Sequence, residues 1–393
     1  MKDPFEIDQE VEISPAGVRR LRQGHLWVYA GDVTRDLEGT EATFVRVTDA
    51  ARNILGHAFH SPRSQIRLRL FSRGSEPPGL ALLRDRLQSS IKRRIPLLKP
   101  GQACRLIFAE ADLLPSIIVD RYGDFLVLQT LSRGSENLKP QLVDLLRELM
   151  HPCGILERND VKARRLEGLE ESRGILCGTV PDQVQIEDNG ISFLVDLNAG
   201  QKTGLFLDQS QNRLAARDYV SGRALDMFTN TGAFALHFAR RCESILAVDL
   251  ARDSLEQGKR NAALNQIGNV EFREGNAFDT LKELDRTGER FDAVCLDPPA
   301  FAKNRSALPG ALGGYKEINL RALKLLNPEG ILVSSSCSYH LTETAFLDLI
   351  REAARDAHRY VQVLERRSQA LDHPILAAMP ETHYLKCFIL RAL

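Results

Sequence analysis

Apolar positions in residues 1–72 fall in short alternating or β-branched runs, AGDVT, ATFVRVTDA, ILGHAF and QIRLRLF, with turn residues between them. Side chains alternate faces along a strand, so this pattern predicts a small β-domain. Residues 73–80 (RGSEPPGL) concentrate proline and glycine and mark a boundary. A helix carrying Arg84, Arg86, Lys92, Arg93 and Arg94 follows, stopped near Pro96 and Pro100. From about 101 to 185 the strand-like runs CRLIFAE, SIIVDR and FLVLQTL accompany one amphipathic helix, QLVDLLRELM, as in a separate α+β domain. Beyond about 186 the texture becomes regular. Apolar runs RALDMF, SILAVDL, NVEFREG, FDAVCLDPP and GILVSSSCS alternate with helical stretches in TGAFALHFARR, SLEQGKRNAALNQI and INLRALKLL. That alternation predicts a parallel, doubly wound α/β sheet with right-handed crossovers. VQVLERR and YLKCFILRAL read as two further strands closing its edge. The expected domains are therefore 1–72, 73–185 and 186–393.

Composition narrows the class. The chain has 393 residues, 52 basic and 52 acidic, with 43% hydrophobic and 26% charged positions. These fractions suit globular domains and exclude wholesale disorder. No apolar stretch reaches the ~18 residues that span a bilayer, and the start, MKDPFEIDQEVE, is acidic where a secretory signal is basic and then apolar. A cytoplasmic protein without a membrane partner is expected. The seven cysteines, at 104, 153, 177, 242, 295, 337 and 387, include no Cys-x-x-Cys pair, so neither a disulfide framework nor a metal site is expected. A net charge of zero conceals local patches. The basic helix is either a solvated face or an RNA contact.

In a doubly wound sheet the ligand sits beyond the carboxyl ends of the strands. The first strand ends at Asp226 and turns through MFTNTGAF, where only Gly232 is present of the glycines a dinucleotide pyrophosphate requires. NAD is thereby disfavoured. Asp249, at the end of the second strand, offers two acceptor oxygens to the hydroxyls of a ribose. A ribose-binding acid without a pyrophosphate loop points to a nucleoside such as S-adenosylmethionine, while the plain alternative is that Asp226 and Asp249 cap helices. The fourth strand ends in Asp297-Pro298-Pro299-Ala300-Phe301. Two consecutive prolines stiffen that turn and suit it to aiming Asp297 at a planar base. The fifth strand ends in Cys337, among Ser334, Ser335, Ser336 and Ser338, and adjacency of the two strands would place thiol beside carboxyl. Cys295, inside FDAVCL, reads as core.

These residues bring a resemblance into view. Nearly end to end, the chain resembles the PUA-domain-containing class I methyltransferases of bacterial large-subunit ribosomal RNA, the type that makes 5-methylcytosine. GHLWVYAGDV and SPRSQIRLRL look like the PUA domain, and FAEADLLPSIIVDRYGD and LERNDVKARRLEGLE like the middle domain. AGQKTGLFLDQSQNR, LDMFTNTGAFAL, LDPPAFAKNRS, GYKEINLRALKLL and SSSCS look like the catalytic domain. The resemblance implies a Rossmann-like class I methyltransferase domain preceded by a PUA β-barrel and an α+β middle domain. It implies cofactor contacts from Thr203, Phe206, Asp208, Phe228, Asn230, Gly232, Asp249, Asn276 and Ala277, with Cys337 as nucleophile and Asp297 as the base-facing acid.

Three positions depart from the family pattern. Ser210 replaces an arginine, Leu250 a small hydroxyl residue, and Asn276 the acid of the adenine-binding turn, whose role its carbonyl could retain. Weaker cofactor affinity is expected from them. Ala300 stands where two-cysteine cytosine methyltransferases carry their second thiol. The expected activity is methylation of carbon 5 of a cytosine in 23S ribosomal RNA through a cysteine–ring adduct. Ribosomal RNA is the expected partner, with a homodimer left open. The alternatives are methylation of an exocyclic amine or guanine nitrogen 7, and a ribosome-assembly RNA-binding protein with a vestigial cofactor site.

Overall fold

The structure, a computed structural model, describes residues 3–7, 9–37, 43–98, 101–198, 205–302 and 308–393. The chain forms two compact units. One comprises Met1–Ile186, Val195–Leu207 and Asp372–Thr382, and the other Glu187–Leu194, Asp208–Leu371 and His383–Leu393. The segments 195–207 and 372–382, expected in the C-terminal domain, thus pack with the first unit. Asp372 shows why: its backbone carbonyl accepts from Arg94 at 2.8 Å, and its carboxylate accepts from the Arg105 N–H at 2.8 Å. Long-range hydrogen bonds of this kind leave no local sequence pattern.

The first unit opens with a six-stranded sheet, ordered Trp27–Tyr29, Ile66–Arg73, Ile54–His60, Phe44–Thr48, Glu10–Ile13 and Val33–Arg35. Its inward positions, among them Val11, Val45, Val47 and Leu68, form one apolar cluster with helix Pro15–Arg22. A five-stranded sheet follows, ordered Arg173–Gly178, Gly154–Arg158, Phe125–Thr130, Ile117–Tyr122 and Ala103–Phe108. Leu83 and Leu87 of helix Leu80–Arg94, and Leu142 and Leu146 of helix Lys139–Met150, are buried in its core.

The basic residues of helix Leu80–Arg94 have internal work. Arg94 is 2% exposed and grips both oxygens of Asp112 at 2.8 Å. Arg93 pairs with the same carboxylate, Arg84 with Glu148, and Arg86 lies 4.7 Å over the Phe71 ring while donating to the Leu113 carbonyl. Four of the five side chains expected to form a solvated or RNA-facing stripe are engaged within their own unit.

The second unit is built on a seven-stranded sheet: β1 (Gly222–Met227), β2 (Cys242–Asp249), β3 (Val270–Glu274), β4 (Phe291–Leu296), β5 (Leu326–Ser336), β6 (Val361–Arg367) and β7 (Lys386–Ala392). The order is β3-β2-β1-β4-β5-β7-β6. The first five strands are parallel, so their carboxyl ends share one rim. β7 runs antiparallel between β5 and β6 rather than at the edge. This interior place explains why KCFILRA is buried at every position but one: an interior strand is covered on both faces. Helices pack on the sheet to give two apolar layers, one around Leu225, Val294, Leu323 and Phe346, the other around Ala224, Phe238, Ile245 and Ile389.

Candidate active site

The turn after β1 is bent by backbone conformation. Phe228, Asn230 and Gly232 have φ of 64°, 51° and 83°, three left-handed residues in five. For Phe228 and Asn230 this is a strained state, of the kind that collects at functional sites. At Gly232 a side chain would crowd Phe272, since a Cβ there would lie 3.1 Å from the ring. Beneath the turn Asp226, wholly buried, accepts from the Thr229 hydroxyl at 2.6 Å and the Ala235 N–H at 3.0 Å. Burial pushes its carboxyl up to about 7, hydrogen bonds from Thr229 and Ala235 acting against the shift and the charge of Asp297 adding to it. Asp226 is therefore the internal brace of the turn, the capping role that was one of its two readings.

Asp249 ends β2 with a half-buried carboxylate. Its Oδ2 accepts from the Asn230 N–H and its Oδ1 from the Ala251 N–H, both at 2.9 Å. Each oxygen keeps a further acceptor site, so the donor chemistry of a ribose diol fits this carboxylate. After β3, Asn276 is exposed and caps helix Ala277–Arg286, its Oδ1 accepting from the Phe278 and Asp279 N–H groups at 3.0 and 3.4 Å. The carbonyl expected to face an adenine amine is thus engaged in the cap. Ala277 is buried. Leu250 is 66% exposed. Ser210 donates to Asp188, whose other oxygen takes two bonds from Arg213 at 2.8 and 2.6 Å, so this departure is absorbed into an ion pair.

The ends of β4 and β5 meet as expected. The strands pair in parallel with Leu296 opposite Ser334, and the Cys337 sulfur lies 3.9 Å from the Pro298 carbonyl. Cys337 is half-buried, whereas Cys295 is fully enclosed and its thiol is driven far up by burial and then by the nearby Asp226 and Asp297 charges. Ser338 ties the two turns together, its Oγ accepting from the Ala302 N–H at 3.2 Å and bonding the Tyr315 hydroxyl at 2.9 Å. Phe301 of the proline turn packs 4.6 Å from Tyr315 and 6.3 Å from Phe228. Asp297 is oriented from behind: Gln209 donates to its Oδ1 at 2.8 Å, Asn212 donates to Gln209 at 2.7 Å, and Arg367 donates to Asn212 at 2.9 Å. This relay of donors orients Asp297 through its Oδ1.

Comparison with known proteins agrees with this geometry. Residues 167–386 match the family model described as S-adenosylmethionine-dependent methyltransferase, and residues 11–73 match a PUA-like domain. A ribosomal RNA large subunit methyltransferase I from Cronobacter sakazakii is 40% identical over 94% of this chain and 96% of its own. One of the same description from Tolumonas auensis is 41% identical over 95% and 97%. The chain belongs to this methyltransferase family. Its cofactor is S-adenosylmethionine. Among solved structures, a SAM-dependent methyltransferase from Streptococcus mutans has a TM-score of 0.83 at 22% identity, covering 98% of this chain and 100% of that one, which is a likeness of fold. Another with the same figures is a methyltransferase complexed with SAH.

Within the methyltransferase, the rim of parallel strand ends gathers Phe228, Asn230, Gly232, Asp249, Asn276, Ala277, Asp297 and Cys337. Asp208 is held by Tyr384, whose hydroxyl donates to its Oδ2 at 2.5 Å. Phe206 lies in the segment 195–207 of the first unit. Thr203 lies outside the described residues. Two side chains escaped sequence reasoning. Gln209 stands inside the LDQSQNR string but carries no charge to draw notice. Lys386 is a cation immediately ahead of the apolar run CFIL, the signal that could have marked it.

Proposed function

We propose that this methyltransferase acts on carbon 5 of a cytosine in large-subunit (23S) ribosomal RNA, with Cys337 as nucleophile and Asp297 as the acid facing the base. The observation that carries this reading is a half-buried thiol and an oriented carboxylate at the ends of adjacent parallel strands. The names of the curated relatives and the PUA-like domain support ribosomal RNA as the substrate.

Asp249 and the turn 228–232 would hold the nucleoside of S-adenosylmethionine, which when bound supplies a methyl group on a sulfonium. Carbon 5 of cytosine is too electron-poor to be methylated unaided. Addition of the Cys337 thiolate to carbon 6 makes carbon 5 nucleophilic, which is why a cysteine is needed. Asp297, carrying or sharing a proton, donates toward the ring and offsets the charge building at nitrogen 3, while Gln209 holds its Oδ1. Carbon 5 takes the methyl group, its proton then passes to a base, and the electron pair left behind expels Cys337 as thiolate, so that aromaticity returns. The target base must leave its stack to reach the strand ends, so an unpaired RNA segment is the expected substrate.

Methylation of an exocyclic amine or of guanine nitrogen 7 needs the Asp-Pro-Pro turn but no thiol, and Cys337 favours the carbon-5 reading. Nucleoside mass spectrometry of ribosomal RNA treated with enzyme and methyl-labelled cofactor tests it. The expected product is labelled 5-methylcytidine. Label in a methylated guanosine or amine would reject the assignment, and absence of incorporation would favour an RNA-binding role alone.

A further inference from the structure

Lys386 is a buried cation that the mechanism above does not use. It opens β7 opposite Ser336, the residue before Cys337, and is 4% exposed. Its Nζ donates to the Ser338 carbonyl at 2.6 Å and to the Tyr384 carbonyl at 2.8 Å. Cys337 is thus flanked in sequence by the register partner of Lys386 on one side and by its hydrogen-bond acceptor on the other. Both acceptors are neutral, and a buried ammonium held only by neutral dipoles is costly unless an anion faces it.

The candidates for that anion are few. Among the described residues, the charged groups acting on the amine are Cys337 and Glu343. Glu343 opens helix Glu343–Asp356, is half-buried, and lies 3.9 Å from Arg366, which takes up part of its charge. Around the thiol stand the Tyr315 phenol, whose own ionisation is held up chiefly by burial, and Asp297, which Gln209 engages. Burial brings the amine down to about 8, with Cys337 and then Glu343 acting in the opposite sense. An enclosed cation beside a thiol favours the ionised sulfur.

We propose that Lys386 is a positioning residue for Cys337, a buried counter-cation that keeps the sulfur as thiolate and ready to add to the ring. The S–H proton passes to solvent, the electron pair remains on sulfur, and the ammonium keeps its three hydrogens. The thiolate expelled at the end of the cycle returns to the same cation. This inference rests on the nucleophile assignment for its purpose but not for its test.

The test is the pH dependence of Cys337 alkylation by iodoacetamide in the full chain, read peptide by peptide by mass spectrometry, with exposed Cys153 as internal reference. The wild-type Cys337 rate should reach half its plateau clearly below the ~8.5 of an ordinary thiol. Lys386→Met keeps the aliphatic length without the charge. It should raise that midpoint by about one unit or more, slowing alkylation near neutral pH about tenfold, with Cys153 unchanged. Lys386→Arg should restore most of the shift. A wild-type midpoint at or above the ordinary thiol value overturns the proposal without any variant, and so does a Lys386→Met profile that coincides with wild type. A normal carbon-5 product from Cys337→Ala would instead reject the nucleophile role while leaving the Lys386-dependent alkylation profile in place.

Discussion

Arg94 and Lys386 are both cations with almost no exposed surface, yet their surroundings differ in kind. Arg94 is bound by both oxygens of Asp112 and by the carbonyls of Ser90 and Asp372, so its charge is cancelled and its donors are occupied. Lys386 has two neutral carbonyls and a thiol nearby. The first arrangement resembles a rivet: nothing is left over for a ligand. At the ends of β4 and β5 an oriented carboxylate, Asp297, and a half-buried thiol, Cys337, stand at the open rim of the sheet instead. Density of charge in a sequence does not identify a site. What distinguishes the two regions is whether neighbours within the same unit complete each group.

The sharpest way to break this contrast is to compare two thiols one strand apart. Cys337→Ala should abolish methyl transfer to RNA while cofactor affinity, measured by calorimetry, stays within about twofold, since the cysteine acts on the base. Cys295→Ala should stay active, with a modest stability loss from a small core cavity. Asp297→Asn should lower turnover by roughly two to four powers of ten, the range for a lost general acid or base, with the fold intact. On the rivet side, Asp112→Ala leaves Arg94 buried without its carboxylate and should lower unfolding stability by about 3–5 kcal/mol in urea titrations. If Asp112→Ala instead weakened RNA binding at unchanged stability, the basic helix would have to be returned to the RNA interface.

A pH measurement sharpens the same point at Asp226. Its folded-state carboxyl titrates at about 7 against an unfolded value of 3.8. A raised pKa stabilises the fold fully below the unfolded value and is lost as pH rises through the folded one. The stability of wild type relative to Asp226→Asn should therefore decline between about pH 4 and pH 7, by on the order of 4 kcal/mol. Urea midpoints at several pH values measure it, and a constant difference would mean that the buried carboxyl does not hold its proton. A smaller effect is expected at Asp249. Asp249→Ala should weaken S-adenosylmethionine binding by roughly 1.5–3 kcal/mol, the range for hydrogen bonds to a charged group. Unchanged affinity would remove it from the site.

Much of the catalytic unit was legible because strand–helix alternation is a local pattern. The five parallel strands, the carboxylates at their ends and the adjacency of Asp297 and Cys337 all follow from short stretches of chain. Features that depend on distant partners were not legible. β7 reads as an edge strand until its antiparallel pairing with both β5 and β6 is seen. Segment 372–382 reads as part of the last domain until Asp372 meets Arg94 and Arg105. The arginines of helix Leu80–Arg94 read as a stripe because their partners, Asp112 and Glu148, lie in other elements. Asn276 was assigned its carbonyl's chemistry without the helix start that consumes it. Gln209 and Lys386 acquire meaning only from what they touch.

The central claim is that Cys337 adds to carbon 6 of a cytosine, and one measurement reaches it directly. RNA carrying 5-fluorocytidine at the target position should accept the methyl group and then stall, since fluorine cannot depart as a proton does. Intact mass spectrometry should then find protein and RNA covalently joined in the presence of S-adenosylmethionine, and digestion should place the link on Cys337. The Cys337→Ala protein should give no adduct, and Cys295→Ala should give the wild-type amount. A link on another residue, or normal methylation of cytosine by Cys337→Ala, would contradict the account.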